Sequence, residues 1–161
     1  MRARKYQRGF SLIELLIVVA IILIIASIAI PNLMRARISA NETSAVGSIR
    51  AINSAMISYM SAYPTVGFPN TLAALGGTSC NPPSPASACL IDSQLATGTK
   101  TGYTFTLVGV SGTPASTYQI IGAPSVANQT GVRYFCSFAD SVVRASVTPI
   151  TSCDYTTTPL Q

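Results

Sequence analysis

Residues 10–33 are almost wholly apolar, interrupted only by Ser11, Glu14, Ser27 and Asn32. As a helix, such a run rises about 36 Å, enough to cross the hydrocarbon core of a bilayer. Pro31 sits near its end. A proline lacks an N–H and crowds the preceding turn, so a kink or a local opening is expected there. The next proline is Pro64, and the helix is expected to resume between the two. From Val46 the pattern changes. Val46, Ile49, Ile52, Met56, Tyr59, Met60 and Tyr63 step by three or four and form one apolar stripe. The other side carries Gly47, Arg50, Ala51, Ser54, Ala55, Ser58, Ser61 and Ala62. The large side is expected to carry the rest of the domain. The small side either lets another helix approach closely or simply faces solvent. The whole helix is expected over residues 10–63, about 80 Å of rise.

Residues 64–101 read as loop with short helical pieces. One turn or two is expected over residues 70–75, with Asn70 as N-cap and Gly76 as stop. The stretch between Cys80 and Cys89 holds Pro82, Pro83 and Pro85, and reads as a stiff, irregular, exposed loop. Strand signals begin after Gly102, where Tyr103, Phe105 and Leu107 alternate with Thr104, Thr106 and Val108. Residues 109–116 read as a turn region, 117–122 as a strand and 123–130 as a loop. Residues 131–138 and 142–147 read as two further strands joined at Ala139, Asp140 and Ser141. Three or four short strands joined by turns suggest an antiparallel meander packed on the helix stripe. The expected fold class is therefore α+β: a long N-terminal helix, transmembrane in its first half, against a small antiparallel sheet. Residues 148–161 are expected to be irregular and pinned by Cys153.

Composition sharpens this picture. Only 9% of the 161 residues are charged and 48% are hydrophobic; a free globular domain has about a quarter of its residues charged. The net charge of +5 is concentrated at one end. Arg2, Arg4, Lys5 and Arg8 precede the apolar run, and removing those four would leave +1. The basic balance thus fits an orientation signal that keeps this end cytoplasmic, and predicts no specific nucleic acid as partner. The chain has no His, which removes the usual general base and the commonest metal ligand. Glu14, Glu42, Asp92, Asp140 and Asp154 are scattered, with no paired-carboxylate or metal-ligand spacing. No catalytic residue, cofactor or metal site is expected, and the chain reads as something other than an enzyme. Cys80, Cys89, Cys136 and Cys153 all follow the apolar run. Their even number suits an oxidising compartment, and four cysteines allow three pairings. Proximity favours Cys80 with Cys89 and Cys136 with Cys153; four buried free thiols are the alternative.

The most informative string is Arg8-Gly9-Phe10-Ser11-Leu12-Ile13-Glu14, continued by Leu15-Leu16-Ile17-Val18-Val19-Ala20. Here the chain resembles the type IV pilins and their relatives, the type II secretion pseudopilins. The resemblance implies that a membrane-bound prepilin peptidase cuts after Gly9 and N-methylates the new first residue, Phe10. It also implies that Glu14 acts in assembly and that Pro31 is the family's helix-breaking proline. The order of events makes physical sense. A cut before the apolar helix leaves the anchor on the mature protein, whereas a cut after it would discard the anchor. Ser27-Ile28-Ala29 fits an ordinary signal-peptidase site, but Glu14 within the run and Pro31 just after the site argue against that reading.

A carboxylate in a hydrocarbon zone is costly unless paired, which marks Glu14 as functional. The resemblance implies that it meets the Phe10 ammonium of a neighbouring subunit. Its own N-terminus, four residues away on the same helix face, is a rival partner, and snorkelling to the interface is a third reading.

The expected organisation is a leader over residues 1–9, an assembly and transmembrane helix over 10–33, its amphipathic continuation over 34–63, and a globular domain over 64–161. The implied function is a pilin. It would be held in the inner membrane as a precursor and assembled by the pilus machinery into an extracellular helical homo-oligomer for adhesion, motility or DNA uptake. Two alternatives stand beside it: a pseudopilin of a type II secretion system, and a tip-located minor pilin acting as a binding module. Major pseudopilins carry an acidic calcium-binding loop near the C-terminus, where this chain offers only Asp140 and Asp154. Cys136 and Cys153 look more like the C-terminal disulfide loop of pilins.

Overall fold

A computed structural model describes residues 10–77 and 80–160. The leader expected over residues 1–9, including Gly9, lies outside the described residues. The chain divides into two compact units, Met1–Ala36 and Arg37–Gln161.

The first unit holds the start of helix α1, which spans Leu12–Ala62. Ser11 and Glu14 begin it as a reciprocal pair. The Ser11 Oγ accepts from the Ile13 N–H at 3.4 Å, and the Glu14 Oε2 accepts from the Ser11 N–H at 3.0 Å. Two backbone donors that no preceding turn can satisfy thereby find partners. The large apolar side chains from Leu12 to Met34 are exposed. Helix α1 stays helical through Pro31, so the helix does not open there. Close by, the Ser27 hydroxyl donates to the Ile24 carbonyl and the Asn32 amide donates to the Ile28 carbonyl. A proline removes one backbone donor, and the rest of the ladder carries the helix past it.

The second unit combines the remainder of α1 with two short helices, α2 (Leu72–Leu75) and α3 (Ser93–Ala96), and a five-stranded sheet. The strands are β1 (Thr99–Lys100), β2 (Tyr103–Gly112), β3 (Ala115–Pro124), β4 (Tyr134–Phe138) and β5 (Arg144–Ser146). They pair in chain order and are antiparallel throughout. The α+β architecture is thus as the pattern indicated, with one strand more. The extra strand, β1, is two residues long and too short to show an alternation. It is tied to β2 by Thr101 and Gly102, both at positive φ, in the two-residue turn that suits the twist of a hairpin.

The core lies between α1 and one face of the sheet. Ile49, Ile52, Met56 and Tyr59 from α1 pack with Tyr103, Phe105, Tyr118, Ile120 and Phe135 from the strands. Side chains alternate across a strand, so the intervening Ile121 and Cys136 fall on the opposite face and build a smaller cluster with Cys153. Gly122 allows close packing of helix on sheet, since a Cβ there would meet Ile49 Cδ1 at 3.3 Å.

Several boundaries moved. On α1, Met60 is 43% exposed whereas Ala55 is buried. Met60 follows Tyr59 by about 100° of helix rotation and has turned off the contact. Ala55 sits where the sheet approaches, and its small size had hidden it. The N-cap of α2 is Thr71, whose hydroxyl accepts from the Ala74 N–H, and not Asn70. Residues 109–112, read as a turn, continue β2; the irregular register between Val108 and Ser111 is a bulge that Gly109 absorbs at φ 64°. Strands β4 and β5 are shorter than residues 131–138 and 142–147; β4 starts late because the backbone at Val132 and Arg133 bonds to Glu42 on α1 instead of to a strand.

Candidate functional site

The candidate residues fall into an N-terminal group on the first turns of α1 and a C-terminal group at the sheet. In the first group Phe10 is 83% exposed and precedes the helix. Glu14 is exposed, and its carboxylate is held by the Ser11 N–H three residues back. A carboxylate in the first helical turn also faces the positive end of the helix dipole. The structure brings Glu14 to the backbone of Ser11, and not to Phe10. The signal was present in the sequence: Ser11-Leu12-Ile13-Glu14 has the spacing of a capping box. Reading Glu14 only as a buried charge passed over it. Pro31 lies within the helix.

Both disulfides join near neighbours in the chain, Cys80 to Cys89 and Cys136 to Cys153. The first closes an exposed proline-rich loop. The second fastens the C-terminal segment to β4 and is buried at both ends. Beside it lies Arg144, whose side chain is 4% exposed. Its guanidinium donates to both Asp140 oxygens, with Nη2 at 2.6 Å and Nη1 at 3.1 Å, and to the Val142 carbonyl. It also lies over the rings of Phe138 and Tyr155, 4.3 and 5.5 Å from their centroids. Burial pushes the Asp140 carboxyl up, but the Arg144 fork and the Val142 N–H outweigh it and hold the group below its ordinary value. At the edge of the domain, the hydrogen bond from Lys100, aided by the Leu95 N–H, likewise holds Asp92 down.

Two polar residues of α1 escaped the sequence reading. Glu42 is 6% exposed and accepts from the backbone N–H groups of Val132 and Arg133 and from Arg133 Nε. Asn53, 3% exposed, donates to the Ser137 hydroxyl and accepts from the Tyr118 hydroxyl. Both clamp α1 to the sheet side of the unit. Nothing local to the helix distinguishes them from solvated polar residues; only their partners, about 65 to 91 positions away in the chain, do so. Asn41, the first residue of a glycosylation-like triplet, is half-buried and donates to the Thr130 carbonyl. Among the described residues no group of three or more His, Cys, Asp or Glu side chains gathers.

A capped apolar helix that continues into a unit with a small antiparallel sheet and a C-terminal disulfide defines an α+β protein. The prokaryotic N-terminal methylation motif matches residues 4–30. The chain is 42% identical over 59 residues to the type II secretion system core protein G of Escherichia coli, a match covering 37% of this chain and 41% of that protein. It is 59% identical over 39 residues to the type IV wide pilus major component PilA4 of Thermus thermophilus, covering 24% and 30%. It is 46% identical over 60 residues to the type IV major pilin protein PilA of Myxococcus xanthus, covering 37% and 27%. The motif and these relatives support the pilin and pseudopilin family for this chain. The chain spans about half the length, or less, of these curated relatives. No solved structure matches it.

Proposed function

We propose that the chain is a structural subunit of a type IV pilus. It is a non-enzymatic building block, anchored in the inner membrane as a precursor and assembled through the first half of α1 into an extracellular filament. One observation carries this reading: the apolar side chains from Leu12 to Met34 are exposed along a helix that begins, capped, within the matched methylation motif. Such a surface needs lipid or other apolar helices around it. A bilayer supplies the first before assembly, and neighbouring copies supply the second afterwards. The Ser11–Glu14 cap lowers the cost of the carboxylate in either setting, leaving one of its oxygens for a neighbour's Phe10 ammonium.

Mass spectrometry of protein sheared from the cell surface tests the proposal. The expected N-terminus is N-methylated Phe10. An intact Met1, or a start near Ile30, would overturn it.

The pseudopilin reading has a specific observation in its favour, the match to type II secretion core protein G. The C-terminal segment favours the pilus. Cys136–Cys153 closes it, and Asp140 is engaged with Arg144. Deleting the gene should abolish surface filaments and leave secretion of folded exoproteins intact; the reverse would establish the pseudopilin.

A further inference from the structure

Six of the nine charged side chains of the second unit are in ion pairs. Lys100 pairs with Asp92, Arg133 with Glu42 and Arg144 with Asp140. Among the described residues of that unit, Arg37, Arg50 and Asp154 are in no ion pair. Asp154 is exposed and spends one oxygen on the turn at Thr156. Next to it Tyr155 is 80% exposed, although its ring packs edge-on against Phe138 with centroids 5.0 Å apart. An aromatic ring held in place from one side and bare on the other is a surface suited to contact.

Arg50 has an unexplained neighbour. Gly47 lies three residues before it on the exposed face of α1, inside a long helix. Glycine there costs up to about 1 kcal/mol relative to alanine. Nothing in the folded chain asks for it, since a Cβ at Gly47 would meet no atom within 4 Å and its φ is not positive. Ala51 and Ser54 continue the same low surface. A residue that is unfavourable in its own helix and has open space above it is explained by something that comes close from outside.

We infer that this face of α1 receives the C-terminal segment of a second copy of the chain, with Asp154 of that copy on Arg50 and its Tyr155 ring over Gly47. Charge complementarity selects the partner: Asp154, exposed and held only by the Thr156 turn and the more distant Arg144 charge, and Arg50, exposed on α1, are an acid and a base of the same unit that are in no ion pair. The inference rests on the filament reading and names one contact within the filament.

The test is charge exchange in the full chain, expressed in an assembly-competent host lacking its own copy, with sheared filaments quantified by immunoblot. Arg50→Glu and Asp154→Lys each place like charges together and should lower filament yield about tenfold, with processing and membrane level unchanged. The double exchange should return the yield to within about threefold of the unaltered chain. Arg37→Glu combined with Asp154→Lys should not. Gly47→Leu should reduce assembly while its thermal melt in detergent matches that of the unaltered chain, which separates a lost contact from a lost fold. Single exchanges that assemble normally, or a double exchange no better than the singles, would overturn the contact alone. An unaltered chain that gives no filaments would sink the filament reading and the contact with it.

Discussion

Ile17, Ile22 and Ile25 in the first half of α1 are more than half exposed, while Ile49 and Ile52 in the second half have no exposed surface at all. The residue type and the helical backbone are the same; the surroundings differ. In the first half apolar residues run all round the helix, as they do in a helix that lies wholly within an apolar medium. In the second they form a stripe, and a sheet within the same folded unit covers it. The contrast teaches that one continuous helix can hold two kinds of unfinished surface. One is completed by the chain itself. The other is left uncovered by the chain.

The comparison can be broken at several points. The largest effect is expected at Glu14. Glu14→Ala removes the carboxylate half of the cap and the only acidic group of the apolar run, and should abolish filaments while the protein stays in the membrane fraction. Normal filaments from that variant would show that the first half of α1 assembles by apolar contact alone. A matched pair of truncations comes next. Ile52→Ala should cost about 2–5 kcal/mol of domain stability, whereas Ile22→Ala should cost close to nothing. Denaturant unfolding of the full chain in detergent measures both, and equal costs would erase the distinction between the two halves.

The covered half can also be loosened from a distance. Asp140→Asn strands the buried Arg144 guanidinium and should cost about 3 kcal/mol, read as a lower midpoint in the same unfolding experiment. A mild acid titration does this reversibly and more weakly. The Asp140 carboxyl is held below its ordinary 3.8 in the folded chain. Its contribution is therefore complete above that value and is lost as pH falls through the lower folded value. Thermal melts should be flat from neutral pH down to about 5 and decline below about 4. In the Asp140→Asn variant that decline should be smaller.

Much of this was legible in advance. The apolar run, the stripe from Val46, the short strands and the sequential pairing of cysteines are all local or periodic signals, and local signals survive in a bare sequence. The capping box at Ser11 and Glu14 was equally local, and was obscured by the attention its carboxylate drew as a charge in hydrocarbon. Glu42 and Asn53 were not legible at all. A polar residue on a helix reads as solvated until its distant partner is known, and both partners here come from the strands and loops of the sheet. Strand β1 was missed for a related reason: two residues carry no period, and β1 exists only because β2 offers an edge to pair with.

The sequence alone determined which stretch must avoid water, where the helix begins and that strands follow it. These follow from transfer energies and backbone preferences, which act over a few residues. The tertiary structure decided which polar side chains of α1 are buried, that Arg144 lies over Phe138 and Tyr155 beside the Cys136–Cys153 bond, and that Arg50 and Asp154 are in no ion pair among the described residues. Those outcomes depend on which charges and hydrogen-bonding groups meet after the chain has closed on itself, and residues far apart in the chain meet only through the fold.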